Sequence, residues 1–226
     1  MALYAAQTYG VSVVGVTLSR EQMEWARARV EQAGLARRVE IRLQDYRDVD
    51  DGPYDAISSI GMSEHVGHTA LPAYAAKLMR LLRPQGRLLD HAIASVRAVP
   101  EDDGRTAGFI ESYIFPDGEI LPLSRTIDAL EHAGLEVRDC EALREHYALT
   151  LRAWVKALRD SWDDAVRLVG AERARTWLLY LAASALGFEE NGRLTIHQVL
   201  AVRPADEGSS GLPRTRDAWL AAAGPG

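Results

Sequence analysis

Side chains that can bind ligands or transfer protons occur where the predicted β-strands end. Asp45 ends the second predicted strand, Glu64 comes just after the third, and His91 lies at the end of the fourth. Because ligands of open parallel α/β sheets bind past the carboxyl ends of the strands, these positions are candidates for a functional site. Each also has a structural explanation: aspartates are common in turns, a glutamate can cap a helix, and a histidine can be an ordinary core residue.

The residue types exclude several other kinds of site. No spacing of histidine and cysteine supports a metal site, and the single cysteine, Cys140, cannot form an intramolecular disulfide framework. A lone thiol is compatible with a reducing cytosol. The formal net charge of −6 argues against nucleic acid as the default partner, although a local basic face would be enough for a membrane surface.

The predicted elements alternate in a way that brings the strand ends to one edge. Strands are predicted at 11–17, 39–43, 54–60, 87–93 and 193–203, with a short strand from residue 135. Helices are predicted at 1–9, 19–33, 69–82, 124–133, 148–169 and 171–186. Strands alternating with helices favour a parallel α/β sheet.

Local signals support these boundaries. Gly10, Gly34 and Gly134 are predicted helix stops, and Ser19 with Gln22 forms an S-x-x-Q capping box. The apolar run 11–17 predicts a strand buried on both faces. The residues predicted to be buried on helices 69–82 and 148–169 are Leu71, Ala75, Leu78, Leu82, Leu151, Trp154, Leu158, Trp162 and Val166.

Six strings of residues occur in the order found in one enzyme family. They are VGVTLS at 14–19 with Gln22, QDYRD at 44–48, GMSEHVG at 61–67, His91-x-Ile93, FIESYIFPDG at 109–118 and Tyr147-x-LTL. Through them, the chain resembles cyclopropane-fatty-acyl-phospholipid synthases and mycolic acid cyclopropane synthases from residue 1 to about residue 203.

The resemblance implies an α/β fold of the class I S-adenosylmethionine (SAM) methyltransferase type. This Rossmann-like fold has a mixed sheet and a helical lipid-binding insertion before the last strand. The implied regions are a truncated SAM-binding core at 1–96, the insertion and acyl channel at 97–192, the final strand at 193–203 and a flexible tail at 204–226.

The sequence departs from the family at its beginning. These enzymes carry a first strand ending in a D-x-G-C-G-x-G-type loop, and the sequence contains no such string, so that strand is expected to be missing. Either the start methionine is placed too late in the gene or the chain is a true fragment. In both cases this polypeptide is expected to fold poorly and turn over slowly, because loss of a central strand removes much apolar burial.

The implied cofactor is SAM. The residues expected to contact it are Thr17, Leu18, Gln22, Asp45, Tyr46, Ile60 and Gly61. Thr17 and Gln22 would bind the ribose hydroxyls, and Asp45 would accept the adenine amino hydrogens with Tyr46 stacking nearby. The small Gly61 would let the sulfonium end approach. The alternatives are a turn cap at Thr17 and a capping-box role for Gln22.

The resemblance also implies the reacting groups, which are Glu64, His91, Ile93 and Tyr147. His91 and Ile93 lie two residues apart on a strand and therefore point the same way. The family uses a bound bicarbonate ion as a base, held by hydrogen-bonding side chains and a backbone group. A glutamate beside an anion is unfavourable unless it is protonated or bridged by donors, so Glu64, His91 and Tyr147 are expected to act as one unit.

The implied partners are unsaturated phospholipid acyl chains. Candidate acyl-channel residues are Phe115, Trp154, Leu158, Trp177, Leu178 and Leu181, and candidate headgroup-facing residues are Arg144, Arg152, Arg159, Arg173 and Arg175. The protein is expected to be cytoplasmic and peripherally associated with a membrane, with no metal and no nucleic acid, and a homodimer is one expected state.

Four activities remain open. The first is cyclopropane formation at the cis double bond of phospholipid acyl chains. The second shares its first step but leaves a methyl branch or a methylene group. The third is a small-molecule SAM methyltransferase that acts on oxygen or nitrogen, and the fourth is an inactive remnant.

Overall fold

The computed structural model describes residues 1–96, 107–115, 118–189 and 194–221. Its strands are β1 (Val13–Thr17), β2 (Val39–Leu43), β3 (Tyr54–Ile60), β4 (Leu82–Ser95), β5 (Glu136–Ala142) and β6 (Leu194–Val202). Its helices are α1 (Ala2–Tyr9), α2 (Arg20–Gln32), α3 (Gly67–Leu81), α4 (Ala107–Tyr113), α5 (Leu123–His132), α6 (Arg144–Asp160), α7 (Trp162–Val169), α8 (Ala171–Glu189) and α9 (Arg216–Ala221). Residues 116–117 of the FIESYIFPDG string and residue 193 of the last predicted strand lie outside the described residues.

The chain divides into two compact units, one made of Met1–Gly52 with Gly211–Gly226 and the other of Pro53–Ser210. In the first unit, β1 and β2 form a parallel two-stranded sheet. Its small core contains Ala6, Val30 and Val39, which belong to α1, α2 and β2. The predicted ends of both helices are confirmed, because Gly10 and Gly34 adopt left-handed backbone angles with φ of 66° and 68°.

The prediction that the first strand is buried on both faces is wrong. Val11 is 43% exposed and Val16 is 36% exposed. Within its unit the strand pairs with β2 alone, and a two-stranded sheet cannot enclose a strand as a wide parallel sheet does. The unit also contains α9, so the region expected to be a flexible tail includes a short helix.

The second unit contains a mixed sheet in the order β3-β4-β6-β5. β3 runs parallel to β4, whereas β6 is antiparallel to both β4 and β5. The mixed sheet with a late antiparallel strand confirms the expected fold class. On one side α3 buries Leu71, Ala75 and Leu78 at 4%, 0% and 5% exposure, as their spacing predicts.

Three helices, α6, α7 and α8, lie between β5 and β6 in the chain, which is the position predicted for the insertion. Leu151, Leu181 and Phe188 join α6 and α8 in one buried cluster with Ile196 of β6. The predicted long helix at 148–169 is divided at Ser161. Trp154 was predicted to be buried and is 47% exposed, because it lies beside the stripe that packs on α8. No helix in the described ranges has both the length and the apolar composition needed to cross a membrane.

Candidate active site

A tight turn after β3 carries Glu64 over the edge of β4. β3 ends at Ile60, opposite His91. Gly61 then adopts φ of 61°, a left-handed conformation that favours glycine, and its N–H donates to the His91 carbonyl oxygen at 2.8 Å. A 3-10 turn at Ser63–His65 follows directly. The parallel pairing of β3 and β4 therefore brings Glu64 next to the end of the neighbouring strand.

The Glu64 carboxylate lies beside β4 just beyond the point where β3 ends. β4 continues beyond the last partner of β3, and the Ile93 N–H donates to Glu64 Oε1 at 2.8 Å. The other carboxylate oxygen, Oε2, is buried and has no hydrogen-bond partner among the described residues. A buried carboxylate oxygen without a donor is costly, which makes Glu64 Oε2 a candidate acceptor for a ligand.

A second segment, which contains Glu119, also hydrogen-bonds to the turn that carries Glu64. The N–H of Glu119 donates to the Glu64 carbonyl oxygen at 2.8 Å. The Glu119 carboxylate accepts from the backbone N–H of His68 at 2.8 Å, in the first turn of α3. Negative charge is stabilised at this end of a helix, and the contact lowers the pKa of Glu119.

His91 lies on the same face of β4 as Ile93 and is half-buried. Its Nδ1 atom is buried and has no partner within the described part of the chain. Burial lowers the pKa of His91, and the nearby Glu64 charge opposes that change only in part. The imidazole is therefore neutral at pH 7, with one nitrogen able to donate and the other able to accept.

Tyr147 lies in the first turn of α6, and its ring packs edge-on against Phe188 and Trp154 at centroid distances of 4.8 and 6.0 Å. Burial, with further contributions from Tyr180 and Glu64, raises the pKa of Tyr147 to about 12. The phenol stays protonated at neutral pH and can donate a hydrogen bond. Tyr147 and Tyr180 both pack against the core cluster between α6 and α8, and the charge of Glu64 raises the pKa of both phenols.

Tyr180 of α8 was missed by sequence reasoning. Its ring makes edge contacts with Phe115 and Trp177 at 5.8 and 5.6 Å, and Phe115 in turn contacts His65 at 5.4 Å. Burial raises the pKa of Tyr180, a hydrogen bond with Ser184 lowers it, and the Glu64 charge raises it. The available signal was a hydroxyl-bearing aromatic in a helix whose neighbouring residues were already assigned to the acyl channel.

The residues predicted to line the acyl channel do not all lie in the same surroundings. Phe115 and Trp177 both contact the ring of Tyr180. Leu181 is only 8% exposed and belongs to the core between α6 and α8. Trp154 contacts Tyr147, and Leu158 packs on the core from its edge. We call the rings around Tyr147 and Tyr180 the aromatic cluster: His65, Phe115, Tyr147, Trp154, Trp177, Tyr180 and Phe188.

The first unit holds most of the expected SAM contacts. Thr17 Oγ1 donates to Gln22 Oε1 at 2.8 Å, so the structure brings these two side chains together. The predicted capping box is only half present: the Gln22 N–H donates to Ser19 Oγ at 3.2 Å, whereas the Ser19 N–H donates to Thr17 Oγ1 at 3.1 Å. Thr17 thus caps the turn and also holds Gln22, and its contact with ribose stays a prediction.

The Asp45 carboxylate already accepts hydrogen bonds within its own turn. Its Oδ1 accepts from the backbone N–H and from Nε of Arg47, both at 2.9 Å, and these contacts lower the pKa of Asp45. An adenine contact would have to share this carboxylate, and that role stays a prediction. Tyr46 is partly buried beside it, while Leu18 and Ile60 are 74% and 47% exposed at their strand ends. Leu18 directly follows Thr17 in the chain, and its contact with SAM stays a prediction.

His197 of β6 also has a buried Nδ1 atom without a partner in the described ranges. It pairs across the sheet with Ala92, on the face away from Ile93, so it does not belong with Glu64. The search of the described residues found no group of three histidine, cysteine, aspartate or glutamate side chains that could hold a metal ion.

Comparison with known proteins shows which family the chain resembles. A family model described as mycolic acid cyclopropane synthetase matches residues 1–199. The chain is 42% identical over 219 residues to a probable fatty acid methyltransferase of Pseudomonas putida, covering 96% of this chain and 55% of that protein. It is 36% identical over 208 residues to the cyclopropane-fatty-acyl-phospholipid synthase of Escherichia coli strain K12, covering 92% of this chain and 52% of that protein.

A solved structure is also similar. The mycolic acid cyclopropane synthase CmaA1, complexed with SAH and CTAB, superimposes with a TM-score of 0.80 at 29% identity, covering 88% of this chain and 72% of that one. The present chain spans about half the length of the curated relatives it matches.

Proposed function

We propose that this chain, which belongs to the mycolic acid cyclopropane synthetase family, transfers a methyl group from SAM to the cis double bond of unsaturated phospholipid acyl chains. We propose further that loss of a proton from the added methyl closes a cyclopropane ring. The observation that carries this proposal is that Glu64 Oε2 and His91 Nδ1 are buried without a hydrogen-bond partner among the described residues. Ile93, which donates to Glu64, packs against the same core cluster as Tyr147 and Tyr180.

The chemistry requires a dry site that tolerates positive charge. SAM, when bound, supplies an electrophilic sulfonium methyl group that an alkene carbon can accept. Glu64 provides negative charge, and the aromatic faces of Tyr147 and Tyr180 stabilise the positive charge that develops on the acyl chain. The core formed by Leu151, Leu181 and their neighbours excludes water that would otherwise trap that cation.

A bicarbonate ion fits the groups that are present. Its O–H can donate to Glu64 Oε2, and its charged oxygens can accept from Tyr147 and from whichever nitrogen of His91 carries the proton. This arrangement explains how a glutamate can lie beside an anion, since the ion itself supplies the donor. Bicarbonate would supply a base for the proton that leaves the added methyl group.

In the first unit, Thr17, Gln22 and Asp45 would bind and orient SAM. Thr17 and Gln22 already form a polar pair at 2.8 Å that ribose hydroxyls can join. A ligand approaching Gly61 meets open space, because no atom lies within 4 Å of the position that a Cβ would occupy there. Leu18 and Tyr46 of the first unit would contribute apolar contacts to the base.

The substrate is proposed to be presented at a membrane surface. A groove of about 680 Å³ between α6 and α8 is lined by Arg152, Lys156 and Arg159 along an apolar floor of Ala182, Ala185 and Leu186. Cations over an apolar floor suit the headgroup and first methylenes of an anionic lipid. We therefore propose peripheral membrane association from the cytoplasmic side.

A second product is favoured by one specific finding. A relative that is 42% identical carries the name of a probable fatty acid methyltransferase. The same carbocation can lose a different proton, which leaves a methylene group, or accept a hydride from a separate hydride donor, which leaves a methyl branch. The chemistry up to the cation is the same, so Glu64, His91 and Tyr147 are compatible with both products.

The test is lipid analysis of a host that expresses the protein from its own gene. We expect mass spectrometry to show acyl chains heavier by one CH₂ unit, and NMR to show cyclopropane ring protons. Glu64→Gln should lower kcat about 100-fold, because the bound base would lose its acceptor. Glu141→Gln, at an exposed position in β5, is the matched control and should change kcat less than 2-fold.

Other results would overturn the proposal in distinguishable ways. Branched chains without ring protons would support the second product. Methyl transfer to a small molecule that survives Glu64→Gln unchanged would favour an oxygen or nitrogen methyltransferase. Absence of SAM binding by calorimetry would indicate an inactive remnant.

A further inference from the structure

Helix α3 begins just after the turn that carries Glu64, and its own sequence supplies no side-chain cap. Its N-cap residue, Val66, has no side-chain acceptor and makes no capping hydrogen bond. The first N–H groups of a helix have no partner inside the helix and need acceptors from elsewhere. The acceptor here is the Glu119 carboxylate, which receives the backbone N–H of His68 at 2.8 Å from 51 positions further along the chain. The cap of α3 therefore comes from a distant segment.

Gly67 leaves the space that this carboxylate needs. Its φ is 72°, a left-handed conformation that favours glycine, and a Cβ at this position would lie 3.0 Å from Glu119 Oε2. The same carboxylate lies 3.0 Å from the Nδ1 atom of His68. The junction between the 3-10 turn and α3 is therefore shaped to accept the Glu119 side chain.

Glu119 holds both ends of this junction. Its N–H donates to the Glu64 carbonyl oxygen at 2.8 Å, and its carboxylate accepts from the His68 N–H at the same distance. These two contacts fix the backbone on either side of Gly67. The Glu64 side chain points to β4, where the Ile93 N–H donates to Oε1 at 2.8 Å. A shift of the Glu64 backbone would therefore change how its carboxylate meets β4.

The segment that carries Glu119 is itself anchored on the sheet. The Ser95 N–H at the end of β4 donates to the Leu121 carbonyl oxygen at 3.0 Å, and Ser95 also forms an isolated parallel bridge with Pro122. Ser95 lies two residues beyond Ile93 on the same strand. The strand that donates to the Glu64 carboxylate thus also fixes the segment that holds the Glu64 backbone.

An exposed ion pair is a weak reason for this arrangement. The side chains of Glu119 and His68 are 44% and 70% exposed, and ion pairs at such positions add little to stability. Stability alone therefore does not account for a residue that spans the junction. Hydrogen bonds to a carboxylate are directional, so holding the turn in one orientation does account for it.

We propose that Glu119 is a positioning residue that holds the Glu64 backbone so that the Glu64 carboxylate meets the Ile93 N–H and the ligand. The proposal rests on the function proposed above in that Glu64 is taken to contact the reacting site. Glu119 acts through the turn and not on the substrate. Its N–H fixes the Glu64 carbonyl, and its carboxylate keeps that N–H in place by binding the first turn of α3.

Three substitutions separate positioning from the loss of an exposed acid. Glu119→Ala removes the acceptor of the His68 N–H, Glu119→Gln keeps an acceptor oxygen there, and Glu131→Ala removes an exposed acid from α5. In the protein expressed from its own gene, we expect Glu119→Ala to lower kcat about 10-fold, with KM for lipid and Kd for SAM changed less than about 2-fold. Glu119→Gln and Glu131→Ala should each change kcat less than about 2-fold.

Amide hydrogen exchange of Ile93 gives a readout that needs no activity. Its N–H is bonded to the Glu64 carboxylate, so Glu119→Ala should speed its exchange about 10-fold, and Glu119→Gln and Glu131→Ala less than about 2-fold. The amide of Leu88, a residue with 0% exposure in β4, reports loss of overall stability. Its exchange should change less than about 2-fold in all three variants, because an exposed carboxylate contributes little to stability.

Several outcomes would overturn the positioning role. They are equal kcat and equal Ile93 exchange in Glu119→Ala and Glu131→Ala, a loss of kcat with unchanged Ile93 exchange, and a Glu119→Gln variant as impaired as Glu119→Ala. Equal acceleration at Ile93 and Leu88 would also overturn it, because that would mean general destabilisation. Faster exchange at Ile93 alone, with no lipid methylation by the parent protein, would retain the positioning role and reject the proposed function.

Discussion

At the residue scale, the decisive feature is how buried polar atoms are satisfied. Glu64 uses one carboxylate oxygen on a backbone N–H and leaves the other unpartnered within the described structure, as does Nδ1 of His91. Asp90, only one position away from His91, accepts a hydrogen bond from the buried Tyr74 hydroxyl at 2.9 Å. Asp90 and His91 are adjacent in β4 but have different surroundings, because alternate side chains of a strand face opposite sides of the sheet.

The raised pKa of Asp90 predicts a pH-dependent stability. Burial raises the pKa from its ordinary value of 3.8 to about 6, so the folded state binds this proton more tightly than the unfolded state. The stabilisation that this provides is fully present below about pH 4 and is lost as the pH rises through about 6. Asp90→Asn removes the titration while keeping the shape of the side chain.

The measurement is urea denaturation of both proteins at pH 5 and pH 8. We expect the free energy of unfolding of Asp90→Asn, relative to the parent, to increase by about 1.5 kcal/mol between these pH values. The comparison cancels contributions from other groups, including His91 and His197, whose lowered pKa values act in both proteins. A difference that is constant with pH would mean that the Asp90 carboxyl is not perturbed.

At the element scale, the pairing of α6 with α8 decides where the phenols of Tyr147 and Tyr180 lie. Tyr147 is in the first turn of α6 and contacts Phe188 near the end of α8, so the two helices run in opposite directions. Tyr180 lies two turns earlier on α8 and shares the environment of Glu64. Any change that loosens this helix pair should move both phenols relative to the turn after β3.

Leu151 and Leu149 on α6 offer a matched comparison. Leu151 is 1% exposed in the core with Leu181, whereas Leu149 is 66% exposed. Leu151→Ala should lower the free energy of unfolding by about 3 kcal/mol, because it leaves a cavity, and Leu149→Ala should change it by less than about 0.5 kcal/mol. Urea denaturation followed by circular dichroism would measure both, and equal effects would mean that the two helices do not pack through Leu151.

At the scale of the whole molecule, charge has to be distributed unevenly for the proposed membrane association. The chain carries a formal charge of −6, which opposes contact with an anionic bilayer. The groove between α6 and α8 concentrates cations instead, although Lys156 is paired with Asp160 and Arg152 with Glu189. Binding through this groove should therefore weaken as salt is added, because the attraction is local and screened.

Two charge-reversal variants with the same net charge separate the effect of the groove from the effect of total charge. Arg159→Glu and Arg80→Glu change the total charge equally, but Arg80 is exposed on α3, outside the groove. Sedimentation with vesicles containing phosphatidylglycerol should show about 10-fold weaker binding for Arg159→Glu and less than 2-fold weaker binding for Arg80→Glu. Equal losses would point to a general charge effect and would reject the groove as the lipid-facing surface.

The sequence by itself determined the elements and the family. β2 and β3 have the predicted bounds, and α1, α2 and α5 end before glycines with positive φ, because periodicity and glycine conformation are local properties of the chain. The motif strings also identified Glu64, His91, Ile93 and Tyr147, since those residue types recur in a fixed order in the family, although their catalytic roles stay predictions.

Only the tertiary structure decided which atoms meet. The contact of Glu64 with the Ile93 N–H, the hydrogen bond of Tyr74 with Asp90 and the ring contact of Tyr180 with Phe115 all join residues far apart in the chain. The exposure of Trp154 and of the first strand was likewise set by neighbours and not by composition. Local rules predict how a segment folds, but the face it buries and the partner each polar atom finds depend on segments that come together only in three dimensions.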